Sequence, residues 1–343
     1  MRTTETWIER IENEFGFRIA SREVIKDGSA GRGNFVAKAV TAGGEAFAVK
    51  SLFETPERQR FIVESERLLA ERGVPLARPR QTLRGEWMFL HDGAPYALYE
   101  WADGAGAPLA EPEQLYAIVE LAARFHKASA ALPYPEGVKA YDHPDWTEEY
   151  EERLLSMERW LDAHGGAKRG KKRVIADSVP FFAKAGKRAL KALRNSEYAA
   201  YRAGRLAPRT LVHGDLHHNN VIRSGKTLTL IDFEDVRFDA PSKDLLRIYS
   251  MYTKSRAFDP ETFRDMLGRY ERAHPLPKEL RRIVRIDLGF PHIFERMLRK
   301  RTYRRMSEEK VAFFLEQERK KAEYVGERYL QGEGRAGKRE EHL

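Results

Sequence analysis

The chain has 343 residues, of which 42% are hydrophobic and 33% charged, enough to bury a sizeable core and to build two lobes. Its 61 Lys and Arg against 52 Asp and Glu give a net charge of +9, and the absence of cysteine excludes disulfides and thiol chemistry. No apolar run reaches the roughly eighteen residues of a membrane span, and Met1-Arg2-Thr3-Thr4-Glu5 lacks the apolar segment of a secretory signal, so a soluble protein of cytoplasmic synthesis is expected.

From the N-terminus, Val24 to Val36 reads as a β-hairpin whose tip carries Gly28, Gly31 and Gly33. Without a Cβ, such residues let backbone N–H groups approach phosphates, although the spacing is not the strict G-x-G-x-x-G and also suits a merely flexible hairpin. A strand then ends in Ala48-Val49-Lys50. Pro56 to Gly73 predicts a helix with Phe61, Ile62, Leu68 and Leu69 on one face, and Glu64 lies between them on that face, turned toward Lys50. Glu66 competes for the same role. Strands follow at Trp87–Leu90 and from Tyr96, the latter running into Glu100-Trp101-Ala102.

Beyond residue 103 the pattern becomes helical. Helices are expected from Pro112 and from Thr147 to Gly165, then a mobile basic connection from Gly165 to Arg173, then a basic amphipathic region over 178–203. Basic residues concentrate at Lys168–Arg173, at 184–194 and at Arg296–Arg301. No recognition module or interleaved aromatics accompany them, so they read as solvated faces and no nucleic-acid partner is expected. Further helices are expected over 260–272 and 277–330, broken near Gly289-Phe290-Pro291, and the polar end from Gln331 to Leu343 reads as a disordered tail. The expected division is therefore residues 1–102, 103–330 and the tail 331–343.

The chemistry concentrates in Leu211-Val212-His213-Gly214-Asp215-Leu216-His217-His218-Asn219-Asn220 and in Ile231-Asp232-Phe233. Asp215 and Asn220 stand five positions apart on one loop, and Asp232 follows the strand Thr227–Ile231 after the turn Ser224-Gly225-Lys226. Three oxygen-bearing side chains so arranged gather around a phosphate-bound Mg²⁺ site, with Asp215 beside the incoming hydroxyl and Asn220 and Asp232 on the metal. Two alternatives remain at this point. The polar loop makes turns and local hydrogen bonds only, or His213, Asp215, His217 and His218 hold zinc as in a hydrolase, which would need no phosphate-clamping lobe upstream.

His213-Gly214-Asp215 through Asn220, followed by Ile231-Asp232-Phe233, resembles the signature of the aminoglycoside phosphotransferase and choline kinase superfamily over residues 24 to 250. Glu234 stands where protein kinases carry the glycine of Asp-Phe-Gly, which argues against a eukaryotic-type protein kinase. The resemblance implies an α+β, two-lobed protein-kinase-like fold with a small β-rich N-lobe and a larger helical C-lobe, and ATP with Mg²⁺ as cofactors. It implies Lys50 on the α- and β-phosphates with Glu64 pairing it, and adenine held by main-chain groups of Glu100, Trp101 and Ala102 at a hinge. It implies Asp215 as catalytic base, Asn220 and Asp232 as metal ligands, His213 shaping the loop and Asp244 supporting it.

Within the superfamily, the motif with Ile-Asp-Phe-Glu-Asp and a basic helical region is most similar to spore coat kinase-like proteins of the CotS group. That implies deposition in the spore coat beside other coat proteins, either as a working kinase or as a structural component that retains the fold without needing catalysis. Aminoglycosides, choline-like amines, sugars and protein hydroxyls all remain as acceptors, with Glu234 and Asp235 placed to attract a cationic one.

Overall fold

The computed structural model describes residues 6–28, 34–52 and 54–330, and by contacts these fall into two compact units. The first comprises residues up to Leu109, Leu121–Asp142 and Thr210–Asp239; the second comprises Ala110–Glu120, His143–Arg209 and the residues from Ala240 onward. The segment Thr210–Asp239 thus groups by contacts with the N-terminal residues, whereas the expected boundary at residue 102 follows chain order.

In the first unit, helix α1 (Trp7–Phe15) is capped by Thr6 in a capping box with Glu9. Strands β1 (Ile19–Lys26), β2 (Phe35–Thr41) and β3 (Ala46–Ser51) precede helix α2 (Pro56–Glu71), followed by β4 (Phe89–His91) and β5 (Ala94–Glu100). They form one antiparallel sheet in the order β1-β2-β3-β5-β4. Strand alternation divides β3 between two cores. Phe47 and Val49 pack with Ile11, Phe35, Phe89, Tyr96 and Leu98 on the α1 side, and Ala48 packs with Val63, Ala97 and Tyr99 on the α2 side. Lys50, two positions after Ala48 and opposite Ala97, therefore shares the face that α2 covers.

Downstream come β6 (Ala105–Gly106), β7 (Leu211–Val212), β8 (Val221–Ser224), β9 (Thr227–Leu230) and β10 (Arg237–Phe238). β6, β8 and β9 form a small sheet, and β7 pairs with β10. The β8–β9 hairpin turns at Gly225, as its Ser-Gly-Lys sequence predicts. Residues 75–77 tie this hairpin to the rest of the unit: the Leu230 N–H donates to the Pro75 carbonyl at 2.9 Å and the Ala77 N–H to the Leu230 carbonyl at 3.0 Å.

Helix α3 (Pro112–Ser129) has residues in both units. The second unit adds α4 (Trp146–His164), α5 (Gly170–Arg194), α6 (Tyr198–Arg202), α7 (Ser242–Tyr252), α8 (Pro260–Ala273), α9 (Lys278–Gly289), α10 (His292–Arg299) and α11 (Glu308–Tyr329). The break at Phe290-Pro291 and the start after Ser307 fall where expected. The connection expected from Gly165 to Arg173 is shorter. Gly170–Arg173 already form the first turn of α5, whose buried face runs from Ile175 through Val179, Phe182 and Gly186 to Leu193. At Gly186 a Cβ would meet Leu154 Cδ2 at 2.8 Å, so the glycine sets how closely α5 approaches α4. Lys187 and Arg194 point outward to Glu158 and Glu151 of α4, a solvated and partly paired basic face.

The second unit also buries an acidic hub. Asp287 is fully enclosed and accepts hydrogen bonds from Tyr150, from Ser242 Oγ at 2.5 Å and from Lys243 Nζ and His292 Nε2 at 3.0 and 2.7 Å. Burial opposes its charge, but Lys243, His292 and the hydrogen bonds outweigh that and hold the carboxyl well below its ordinary value. Asp287→Asn is expected to destabilise the protein by about 3 kcal/mol or more, because Lys243 is left as a largely buried cation without its counter-charge. A denaturant midpoint unchanged from wild type would contradict this.

Candidate active site

Five side chains predicted to share one site all belong to the first unit. Lys50 Nζ donates to Asp232 Oδ1 at 3.0 Å, joining residues 182 positions apart. Both remain partly open, with side chains 17% and 32% exposed, which leaves room for a ligand to reach them. Burial disfavours the charge of Asp232, but the ammonium of Lys50 and its hydrogen bond prevail and hold the carboxyl below its ordinary value. Asp232 has a φ of 70°, a left-handed conformation that costs a non-glycine residue on the order of 1 kcal/mol and is held here by the strand before it and the turn after it.

The loop between β7 and β8 is built around backbone bonds. Gly214 has a φ of 84°, and a Cβ there would stand 2.3 Å from the Asp235 carbonyl oxygen, so only glycine lets the two segments meet. A single turn of 3₁₀ helix, His218–Asn220, sets the reach from Asp215 to Asn220. Asn220 is buried and gives its amide nitrogen to the Asp215 carbonyl at 3.1 Å, closing the loop on itself. His213 is fully buried, with Nε2 2.9 Å from the Ile231 carbonyl and its ring 4.8 Å from that of Phe233. It clamps the loop to the Asp232 segment. Among the described residues no three His, Asp or Glu side chains are grouped to hold a metal, so the hydrolase alternative finds no cluster.

His217 entered the sequence reading only as a zinc candidate, yet it has a different place. Its Nδ1 accepts the Asn219 N–H at 3.2 Å, which in the neutral ring leaves the proton on Nε2, 3.5 Å from Asp215 Oδ2. The imidazole therefore faces the carboxylate and orients it.

Glu64 is not where it was expected. Its carboxylate pairs with Arg67 Nε at 2.7 Å, one turn along the same helix. The carboxylate facing Lys50 is that of Glu66, only 4% exposed and hydrogen-bonded to the Tyr99 hydroxyl. Two helical positions differ by about 200° in direction, so only one of the two can look inward, and Glu66 lies on the buried ridge of Gln59, Ile62 and Leu69. Burial pushes the Glu66 carboxyl up to about 8; Lys50 and Tyr99 counteract part of this and Asp232 adds to it. The folded protein without nucleotide then holds a proton that the unfolded chain has lost above the ordinary carboxylate value of 4.5, so this group's stabilisation is complete below 4.5 and disappears as pH rises through about 8. Glu66→Gln is expected to flatten the fall of Tm across that window, whereas Glu64→Gln, which alters only the pair with Arg67, should leave it intact.

The segment expected to hold adenine continues β5. The Glu100 N–H is spent on the Arg78 carbonyl at 2.8 Å and the Trp101 N–H on the Ala46 carbonyl at 3.2 Å, while the Ala102 N–H forms no bond among the described residues. Trp101 packs against Ala48, Val63, Ala97 and Tyr99, with Lys38 Nζ 4.5 Å above its ring. Gly28 is buried at the end of β1; Gly31 and Gly33 lie outside the described residues.

Comparison with known proteins agrees with the expected resemblance. The model of the phosphotransferase enzyme family matches residues 25–282. Spore coat protein S of Bacillus subtilis (strain 168) is 27% identical over 259 residues, covering 70% of this chain and 69% of that protein. An aminoglycoside phosphotransferase from Alicyclobacillus acidocaldarius superposes with a TM-score of 0.73 at 19% identity, covering 92% of each chain. Amicoumacin kinase hAmiN, solved in complex with AMP-PNP, Ca²⁺ and Ami, gives a TM-score of 0.58 at 16% identity, covering 94% of this chain and 93% of that one. The structural matches show the expected kinase-like α+β fold.

Proposed function

Since the chain belongs to the phosphotransferase enzyme family, we propose that it transfers the γ-phosphate of ATP to a hydroxyl acceptor, with Asp215 as base and Lys50 on the phosphates. The observation that carries this reading is the meeting of Lys50 with Asp232 beside the Asp215–Asn220 loop. A scaffold has no physical need to gather an ammonium, two carboxylates and a carboxamide that lie so far apart in sequence.

The donor set fits Mg²⁺. Asp232 is held ionised, and Asn220 commits its nitrogen to the loop, which keeps its carbonyl oxygen for a cation. Two hard oxygen ligands suit a magnesium ion that takes its remaining ligands from phosphates and water. When bound, the ion would neutralise charge on the transferring phosphoryl group. Lys50 would hold the α- and β-phosphates and Glu66, in place of Glu64, would position its ammonium. Adenine would find the open amide of Ala102 and the carbonyl of Glu100. Asp215, a little over a third exposed and turned by His217, would accept the proton of the acceptor hydroxyl as its oxygen bonds to the γ-phosphorus and ADP leaves.

The likeness to Spore coat protein S supports a second reading, in which the chain is deposited in a spore coat and catalysis is dispensable there. A screen of hydroxyl acceptors with Mg²⁺-ATP, scored by ADP release and by the phosphorylated product, tests the first reading. Product formed by wild type and lost in Asp215→Ala supports it. Normal coat assembly by Asp215→Ala, with no transfer to any acceptor by wild type, would favour the second.

A further inference from the structure

A cavity of about 290 Å³ opens within the helical unit between α4, α10 and the turn that follows α10, and none of its residues belongs to the candidate active site. Arg159, Arg299, Arg301 and Arg304 line it, together with Trp160 and Tyr303. Arg299 is occupied by the fully buried Glu295 at 3.0 Å, to which Ser156 Oγ also donates at 3.5 Å. Arg159, Arg301 and Arg304 have no acidic partner among the described residues. The turn is pinned from α5, whose Lys171 Nζ donates to the Arg304 and Met306 carbonyls at 3.1 and 2.7 Å and adds an ammonium nearby. Arg301 has a φ of 54°, where glycine or asparagine sits more easily, so the long basic side chain is kept at some conformational expense.

The inner wall is aromatic. Trp160 is 9% exposed, stacks on His164 with ring centroids 4.5 Å apart and meets Tyr303 edge-on at 6.0 Å. Three unpaired guanidinium groups beside an aromatic wall in a cavity of this size share one complement: a small dianion attached to a flat or apolar group.

We propose that this cavity binds a phosphomonoester whose phosphate is held by Arg159, Arg301 and Arg304 and whose ring or chain lies on Trp160 and Tyr303. Phenyl phosphate is the probe, titrated calorimetrically into the full-length protein, with inorganic phosphate alongside. Phenyl phosphate should bind saturably and more tightly than inorganic phosphate. Affinity should drop about tenfold for each exposed arginine replaced in Arg159→Gln and Arg304→Gln, which leave the packed residues untouched. Asp232→Asn, which alters the candidate nucleotide site, should bind as wild type does. The quenching of tryptophan fluorescence on binding should disappear in Trp160→Phe. No saturable binding at millimolar concentration would overturn the proposal, as would binding that survives both arginine changes but is lost in Asp232→Asn, or quenching that persists in Trp160→Phe.

Discussion

Asp215→Ala is expected to lower phosphoryl transfer by on the order of 10²- to 10⁴-fold, the contribution of a positioned general base, while the protein remains folded. Alanine keeps the backbone carbonyl that the Asn220 amide holds, so the loop retains its closure and Asn220 its place. Only the carboxylate that faces His217 Nε2 is removed, from a side chain that is itself over a third exposed. A change in stability within about 1 kcal/mol is therefore expected. Nucleotide affinity should be nearly unchanged, because Asp215 acts on the acceptor. Single-turnover transfer and a Tm measured on the same preparation separate the two effects; transfer at the wild-type rate would remove Asp215 from the mechanism. His217→Gln, by contrast, should lower the rate modestly, since it orients the carboxylate without taking the proton.

Lys50→Ala is expected to cost on the order of 10² to 10³ in rate, as the loss of one preorganised charge donor does. More than a phosphate contact is removed. Lys50 is the cation that holds Asp232 ionised and offsets part of the burial that drives Glu66 up. Without it two carboxyl groups confront each other across a partly closed site, and the proton on Glu66 is retained to still higher pH. The fall of stability with pH should therefore extend to higher pH in the variant than in wild type. Thermal unfolding of the variant across that range checks this; a fall of Tm with pH identical to that of wild type would mean that Lys50 does not act on Glu66.

Much of this site is legible in the sequence, for a physical reason. Asp215 and Asn220 share a short loop and Asp232 lies in the turn after a hairpin, segments tied together by His213, so spacing predicts that they lie in one neighbourhood. Lys50 is set by strand alternation, since Ala48 and Ala97 mark the face on which it emerges. Glu66 was harder to choose over Glu64 because the buried ridge of α2 includes Gln59 and Ser65, polar residues that a hydrophobic pattern does not count. Extending the Ile62 and Leu69 spacing through Glu66 is the signal that finds it. His217 was hidden by the chemistry of its neighbours, four metal-capable side chains within six residues, and only the bond from the Asn219 N–H reveals its orientation. At Gly165-Gly166 composition suggests a long connection, yet Gly170 already starts a helix whose first turn carries no apolar residue and is tied instead by Lys171 to the Arg304 and Met306 carbonyls, a contact that no sequence period shows. The proposed adenine contacts are main-chain groups and would leave no side-chain trace.

The central claim is that Lys50, Asn220 and Asp232 form one site for a metal-bound triphosphate, and thermal unfolding with and without Mg²⁺ and a non-hydrolysable ATP analogue tests it most directly. At a ligand concentration about 100 times Kd the folded state should gain about 2.7 kcal/mol, giving a clear rise in Tm only when both nucleotide and Mg²⁺ are present. The rise should vanish in the Asn220→Ala, Asp232→Asn double variant. An unchanged Tm in wild type, or an equal rise in the double variant, would contradict the account.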